Sequence, residues 1–143
     1  MKITPMKRED LARYIQVFLS AFGGEPWNEP WTAESAAARL GGYMDTGSAF
    51  GLAMEENGEL IAFILGQFEP YYDGPRFFIQ EFCCARRSGG YGTKLLAELE
   101  EQLKAQGVVR TYLMTSHTDA TEGFYQRRGY TTDPENILMY KIQ

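Results

Sequence analysis

The spacing of apolar residues predicts two helices in the first third of the chain. Over residues 8–19, apolar side chains recur every three or four positions, which is the period of one helix face. Residues 22–31 contain glycine, proline and two tryptophans, and they predict a structured loop. Thr32 is a suitable N-cap for a second helix, which we expect to end at Leu40 because Gly41-Gly42 follows.

The next part of the chain has the pattern of a β meander. Residues 49–54 and 60–68 are apolar and strand-like, and Asn57-Gly58 between them is typical of the tight turn of a β hairpin. After a looser segment, residues 77–84 predict a third long strand, because their aromatic side chains suit a pleated, half-buried surface.

A strand–helix–strand unit follows the meander. Residues 93–106 carry four leucines on one helical face, and residues 108–114 predict another strand. A short helix over residues 119–128 and a final strand over residues 137–142 complete the order. No repeat or linker divides the sequence, so we expect a single α/β domain over residues 1–143.

Charge and composition narrow the class of protein. The 143 residues include 14 basic and 19 acidic side chains, a net charge of −5 that disfavours nucleic acid and favours cationic small partners. No apolar run approaches the roughly 18 residues of a membrane span, and charged residues occur within the first ten positions, unlike in a secretory signal. We therefore expect a cytoplasmic protein that binds neither nucleic acid nor a membrane.

The two cysteines, Cys83 and Cys84, are adjacent. Neighbouring side chains on a strand point to opposite faces, so we do not expect a disulfide between them. Their spacing lacks a metal-binding or redox pattern, so we also expect no bound metal. Two interpretations stay open: both are small apolar residues on a buried strand, or one thiol lines a substrate channel.

Three glycines, Gly89, Gly90 and Gly92, stand where the chain passes from a strand into a helix. Glycines leave backbone N–H groups uncovered, and helix N-termini carry a partial positive charge that favours phosphate. The spacing matches neither the Gly-x-Gly-x-x-Gly fingerprint of dinucleotide-binding proteins nor the Gly-Lys-Ser/Thr of a P-loop. The segment therefore predicts another kind of anion site, with an ordinary glycine turn as the alternative.

Two motifs in this half of the chain resemble those of the GCN5-related N-acetyltransferase (GNAT) family. Residues 87–92 read Arg-x-x-Gly-x-Gly, which is similar to the pyrophosphate-binding motif of that family. About thirty residues later, residues 124–130 read Phe-Tyr-x-x-x-Gly-Tyr, which resembles its second motif. Both motifs stand in the family's order and spacing. The similarity extends over nearly the whole chain and is strongest over residues 77–130.

The resemblance implies a fold in which residues 1–4 form the first strand. This fold is a mixed, mostly antiparallel central sheet of six to seven strands, splayed at the fourth strand and flanked by about four helices. Coenzyme A lies where the neighbouring strands separate. Only two residues stand between Cys84 and Arg87, a shorter lead-in than is usual. This leaves open whether the fourth strand ends at Cys84 or one or two residues earlier.

The resemblance also implies which residues bind acetyl-coenzyme A, the co-substrate. The backbone of the fourth strand would pair with the pantetheine arm, and the glycine turn would bind the pyrophosphate. The implied positions are Phe82, Cys83 and Cys84 on the strand, and Arg87, Ser88, Gly89, Gly90, Gly92 and Thr93 in the turn and the following helix.

Acetyl transfer to an amine requires the amine to lose a proton. The pKa of a primary amine is near 10.4, so forming the neutral amine at pH 7 costs about 4 to 5 kcal/mol. The resemblance implies direct attack in a ternary complex, with Tyr125 as acid and Glu81 as base. In the alternative interpretation Tyr125 only packs its helix against the sheet, and Glu81 is a solvated or salt-bridged carboxylate whose face depends on strand register. His117, the only histidine, is another candidate base.

The acceptor side combines aromatic rings with carboxylates, which suits a cation. In relatives the acceptor cleft is built from the first two helices and the loop between them. The candidate substrate residues are Glu25, Trp27, Glu29, Tyr71 and Tyr72. Alternatively, the tryptophans of the loop anchor it into the core.

The sequence therefore predicts an enzyme, an N-acetyltransferase that moves acetyl from acetyl-coenzyme A to a primary amine of a cationic small molecule. A protein lysine or N-terminus is the alternative acceptor. Two other classes stay open: a non-catalytic module that binds acyl-coenzyme A, and an unrelated α/β protein with a chance glycine turn. Many relatives dimerise, and the sequence leaves a homodimer open.

Overall fold

The computed structural model describes every residue from Met1 to Gln143, in two units, Met1–Leu113 and Met114–Gln143. The first unit holds a single five-stranded sheet in the order β1-β2-β3-β4-β5. Its strands are β1 (Lys2–Pro5), β2 (Ala49–Glu56), β3 (Glu59–Glu69), β4 (Arg76–Cys84) and β5 (Arg110–Leu113). The first three pairings are antiparallel and β4 pairs with β5 in parallel, so the mixed, mostly antiparallel sheet is confirmed.

Four α-helices accompany the sheet. They are α1 (Leu11–Gly23), preceded by a 3-10 turn at Arg8–Asp10, α2 (Ala33–Met44), α3 (Tyr91–Ala105) and, in the second unit, α4 (Glu122–Gln126). None of these helices has the length and apolar character needed to cross a bilayer.

Strand β3 is the centre of the first unit. Residues 60–66 are buried without interruption, so both faces of β3 are covered. Helices α1 and α2 cover one face, where Tyr14, Phe18 and Leu40 pack with Phe63. The buried leucine stripe of α3 packs against β2, β3 and β4.

Local sequence signals account for the hairpin between β2 and β3. Asn57 and Gly58 adopt φ values of 54° and 79°. Positive φ at both central residues is what a type I′ turn requires, and this turn matches the twist of the flanking strands. The predicted hairpin is therefore confirmed.

Helix α2 continues through the two glycines that we expected to end it. Its start follows the prediction, because the Thr32 side chain accepts from the Ser35 N–H and the Ser35 side chain accepts from the Thr32 N–H. A Cβ atom at Gly41 would lie 3.5 Å from Arg8 and 3.6 Å from Leu11. Both distances are ordinary van der Waals contacts, so buried Gly41 packs against the preceding segment, and this tertiary packing outweighs the low helix propensity of the two glycines. The prediction of an end at Leu40 was wrong.

The prediction of a final strand over residues 137–142 was also wrong. Ile137, Met139 and Tyr140 are more than 80% exposed, and the segment makes no ladder. Strand propensity produces a strand only where a neighbouring strand supplies hydrogen bonds, and none does so here. The sheet consequently has five strands instead of six to seven.

Candidate active site

Strands β4 and β5 pair over a short parallel ladder at the start of β4. The pairing joins Arg76–Ile79 to Arg110–Leu113, and β4 continues for five more residues to Cys84. Beyond Ile79, β4 therefore has no partner on β5, as expected for a sheet that opens at its fourth strand. The strand end that the sequence left open lies at Cys84.

A β-bulge at Gln80 sets the direction of the side chains that follow it. Leu65 pairs with Glu81 and Gly66 pairs with Ile79, so Gln80 is the extra residue that the backbone ladder with β3 skips. Paired residues share a sheet face, and Leu65 belongs to the cluster beneath α1 and α2. The bulge therefore directs Glu81 and Cys83 toward that face, while Ile79 lies on the opposite one.

Glu81 is a buried carboxylate paired with Arg39 of α2. It is 8% exposed, and its Oε1 accepts a hydrogen bond from Arg39 Nε. Its second oxygen, Oε2, has no hydrogen-bond partner within the protein. Burial raises the pKa of Glu81, and the opposing effect of the Arg39 guanidinium is smaller.

The guanidinium of Arg39 also lies near two aromatic rings. Its Cζ atom is 5.7 Å from the Trp31 ring centroid and 5.2 Å from that of Tyr43. Arg39 was absent from the predicted site. The sequence signal for Arg39 is weak: it is a single basic residue at the end of an Ala-rich stretch, directly before Leu40, which is buried.

Both cysteines are free thiols. Cys83 is buried, and burial raises its pKa well above the usual range. Cys84 is half-buried and donates to the carbonyl oxygen of Arg86 at 2.7 Å; burial raises its pKa as well. Both thiols are therefore protonated at neutral pH.

The glycine turn is exposed and open at its backbone. The N–H groups of Ser88, Gly89 and Gly90 donate no hydrogen bond within the protein. Gly90 is the N-cap of α3 with a φ of 72°, no side chain caps the helix, and its first turn contains no acidic residue. These features fit an anion at the start of α3.

Part of the loop between α1 and α2 reaches the glycine turn. The Arg87 side chain donates to the carbonyl oxygen of Glu25, and its Cζ lies 5.5 Å from the Trp27 ring centroid. Glu29 accepts from Trp31 Nε1 at 2.7 Å, and Trp31 packs edge-on against Phe18. Trp31 thus anchors the loop, in agreement with the alternative interpretation for this residue.

The other two predicted substrate residues lie at the far end of β4. Tyr71 contacts Tyr72, and its ring centroid is 3.5 Å from Cζ of Arg76, the first residue of β4. Arg87 stands three positions after Cys84, the last residue of β4, so the two groups are separated by this nine-residue strand, or roughly 30 Å. The five predicted substrate residues do not form one surface.

Tyr125 belongs to α4 in the second unit. Its ring packs against Phe124 at 5.1 Å and Tyr130 at 5.6 Å between centroids. Its hydroxyl has no hydrogen-bond partner within the protein, and burial raises its pKa to about 12. The group is therefore a protonated donor with an unused hydrogen.

The remaining candidate, His117, is a surface residue. Its side chain is 91% exposed, and Nδ1 lies 3.3 Å from Glu122 Oε1. Hydrogen bonds from Thr132 and then His117 lower the pKa of Glu122. No group of three or more His, Cys, Asp or Glu side chains is placed to hold a metal ion.

The chain is similar to known proteins in sequence pattern and in fold. The sequence model of the acetyltransferase (GNAT) family matches residues 11–130. No curated protein sequence matches the chain.

Three solved structures illustrate the similarity of fold. A ribosomal-protein-alanine N-acetyltransferase from Brucella melitensis biovar Abortus 2308 is 13% identical with a TM-score of 0.77, over 99% of this chain and 100% of that one. Aminoglycoside N-acetyltransferase AAC(6')-Iy in complex with CoA is 16% identical with a TM-score of 0.74, over 99% and 94%. An aminoglycoside acetyltransferase from an uncultured soil metagenomic sample, in complex with sisomicin, is 14% identical with a TM-score of 0.73, over 99% and 95%.

Proposed function

Because the chain belongs to the GNAT acetyltransferase family, we propose that it transfers acetyl from acetyl-coenzyme A to a primary amine of a cationic small molecule. The observation that carries this proposal is the glycine turn. Its backbone N–H groups at Ser88, Gly89 and Gly90 are unused, and they stand at the uncapped N-terminus of a 15-residue helix. An anionic ligand such as a pyrophosphate satisfies these donors.

The residues around the turn fit acetyl-coenzyme A. The turn would hold the pyrophosphate through residues 87–90, together with Gly92 and Thr93 at the start of α3. The backbone of residues 82–84, beyond the end of β5, would bind the pantetheine arm. When bound, acetyl-coenzyme A supplies an acetyl thioester that is activated toward amines.

Glu81 is our candidate for the general base. A base is most effective when its pKa lies near the working pH, and burial moves the pKa of Glu81 in that direction. Arg39 occupies only Oε1, so Oε2 is left to accept the proton of the acceptor, directly or through water. The position of the carboxylate is fixed by the β4 bulge and by the ion pair.

Tyr125 is our candidate for the donor that stabilises the leaving sulfur. With a pKa of about 12, its phenol is protonated throughout the physiological range. Full proton transfer to a thiolate, whose conjugate acid has a pKa of about 8.5, would be uphill by roughly 5 kcal/mol. Tyr125 would therefore stabilise the thiolate through a hydrogen bond, and water would protonate it later.

The acceptor class is supported by the surface near Glu81. A shallow cleft of about 330 Å³ is lined by Glu29, Pro30, Trp31 and Ser35. The Glu29 and Glu81 carboxylates face the single Arg39 guanidinium there, so an added monocation completes the charge balance. Two of the structural neighbours act on aminoglycosides, which are cationic small molecules. A protein N-terminus is the alternative acceptor, by analogy with the ribosomal-protein neighbour.

The first experiment is a thermal shift with acetyl-coenzyme A. A ligand at 100 times its Kd stabilises the folded state by about 2.7 kcal/mol, which for a chain of this size raises Tm by roughly 6 to 10 °C. Thiol release is then measured with an aminoglycoside, a polyamine and an N-terminal peptide. An unchanged Tm at saturating acetyl-coenzyme A contradicts the proposal, and binding without thiol release from any amine favours a sensor.

A further inference from the structure

A carboxylate on the β2–β3 hairpin connects the two ends of the glycine turn. Oε2 of Glu56, the last residue of β2, accepts from Arg86 Nη1 at 2.7 Å and from the Tyr91 hydroxyl at 2.8 Å. Arg86 immediately precedes Arg87, and Tyr91 is the first residue of α3. One carboxylate oxygen therefore joins the residue before the turn to the residue after it.

Further contacts fix both ends of the turn. The N–H of Ala85 donates to the Ile61 carbonyl at 2.8 Å, and Arg86 Nη2 donates to Glu59 Oε2 at 2.9 Å. The Tyr91 ring lies beneath Gly89, where a Cβ atom would be 2.8 Å from Tyr91 Cε2. Residues 88–90 make no backbone hydrogen bond as donors, so their conformation depends on these flanking contacts.

We propose that Glu56 and Tyr91 are positioning residues for the pyrophosphate-binding turn. Their hydrogen bond sets the distance between the hairpin and the start of α3, and so aims the N–H groups of the turn at one point. Arg86 is held by two carboxylates, whereas Arg87 forms no ion pair and donates only to the neutral carbonyl oxygen of Glu25, so its charge is the one left for an anion. The inference rests on the proposed function, because it assigns a role within the same cofactor site.

The test compares two acetyl donors that differ in the group the turn would bind. S-acetylpantetheine carries the thioester and the pantetheine arm but lacks the pyrophosphate. The Tyr91→Phe variant keeps the ring under Gly89 and removes only the hydroxyl. We expect its Kd for acetyl-coenzyme A, measured by titration calorimetry, to rise about threefold to tenfold. A hydrogen bond to a charged group is worth about a factor of ten or more in an equilibrium constant, and binding should lose part of it because Tyr91 acts through the turn. Its Kd for S-acetylpantetheine should be unchanged.

Glu56→Gln provides a second route to the same hydrogen bond. It should raise the Kd for acetyl-coenzyme A at least as much, because Glu56 also holds Arg86. Adding Tyr91→Phe to Glu56→Gln should change the Kd little further, because the charged contact of Tyr91 is already lost. Glu55→Gln is the matched control. Glu55 is the adjacent residue, pairs with Arg13 at 2.9 Å, and points to the opposite sheet face. It should bind both donors like the wild type.

Each outcome separates this inference from the proposed function. If the wild type binds neither donor, the proposed function fails and the positioning role fails with it. If the wild type binds acetyl-coenzyme A and Tyr91→Phe and Glu56→Gln bind it equally well, only the positioning role is overturned. Equal weakening for both donors would also overturn it, because the effect would then be a general loss of structure.

Discussion

At the scale of single residues, Glu81 shows how a local pattern becomes a site only through distant contacts. Its place on β4 was predictable, but its face depends on the bulge at Gln80, and its partner Arg39 is 42 residues away. Neither contact leaves a periodic signal in the sequence. The salt-bridged carboxylate, weighed as the alternative to a base, is present, and the free Oε2 makes the two roles compatible.

Replacing Arg39 by Gln should move the acidic limb of the pH profile of kcat/KM upward. Glu81 is active when ionised, so activity is lost as the pH falls through its pKa. Burial and the charge of Glu29 raise that pKa, and Arg39 lowers it; loss of Arg39 therefore raises it further. Cys83, two residues from Glu81 on β4, has its pKa raised by burial and is protonated in this range.

Arg8→Gln is the control for this change, since Arg8 pairs with Asp45 at 2.8 Å on the exposed surface. Its profile should match the wild type. An acidic limb that stays in place in Arg39→Gln would show that Glu81 is not the titrating base.

Replacing Tyr125 by Phe should lower kcat about 100-fold, the lower range for loss of one hydrogen-bond donor to developing charge, with little change in the Kd for acetyl-coenzyme A. The Kd should change little because the hydroxyl has no partner within the protein, so its removal leaves the packing against Phe124 and Tyr130 intact. Thiol release measures kcat. Tyr140→Phe, at an 84% exposed position, is the control. A kcat within twofold of the wild type would remove Tyr125 from the mechanism.

At the scale of elements, the bulge in β4 depends on a glycine in the neighbouring strand. Gly66 of β3 pairs with Ile79 beside the bulge, and a Cβ atom there would collide with the Phe78 carbonyl oxygen and lie 2.5 Å from the Phe77 ring. Both obstacles belong to a buried strand that cannot move aside cheaply. The glycine in β3 is therefore a requirement of the geometry of β4.

Gly66→Ala should lower the free energy of unfolding by about 1 to 3 kcal/mol, the usual cost of overpacking a core. Urea denaturation measures the change. Gly42→Ala is the matched control, because nothing lies within 4 Å of its Cβ position in α2. This substitution should stabilise the protein by roughly 0.5 to 1 kcal/mol, as Ala replaces Gly in a helix. Equal effects at both positions would contradict the role assigned to Gly66.

At the scale of the whole molecule, the sequence predicted elements whose signals are local. The Asn-Gly turn, the Thr32 cap and the leucine stripe of α3 each act within a few residues, and each is confirmed. Features set by long-range contacts were missed or wrong. Helix α2 passes Gly41 because of packing against Arg8 and Leu11, and residues 137–142 lack the partner strand that their composition would suit.

In the candidate site, too, the part with a local sequence motif was predicted and the part that depends on long-range contacts was not. The glycine turn was identified from its motif, and the structure adds the unused N–H groups that support the proposed anion site. The acceptor residues were drawn from residue types and, for the loop between the first two helices, from the cleft of relatives, and they fall at opposite ends of β4. Recognition of an acceptor depends on convergence in space, which residue types cannot report.

The protonated state of Cys83 and Cys84 bears on the kinetic scheme. A thiol must ionise before it can take an acyl group by thioester exchange, and burial opposes ionisation of both. Acetylation of either cysteine is therefore disfavoured, although both lie on β4, the strand proposed to hold the acetyl donor. Without a covalent relay, the first product cannot leave before the second substrate arrives. The proposed transfer follows a sequential scheme, and its rate depends on both substrates being held together.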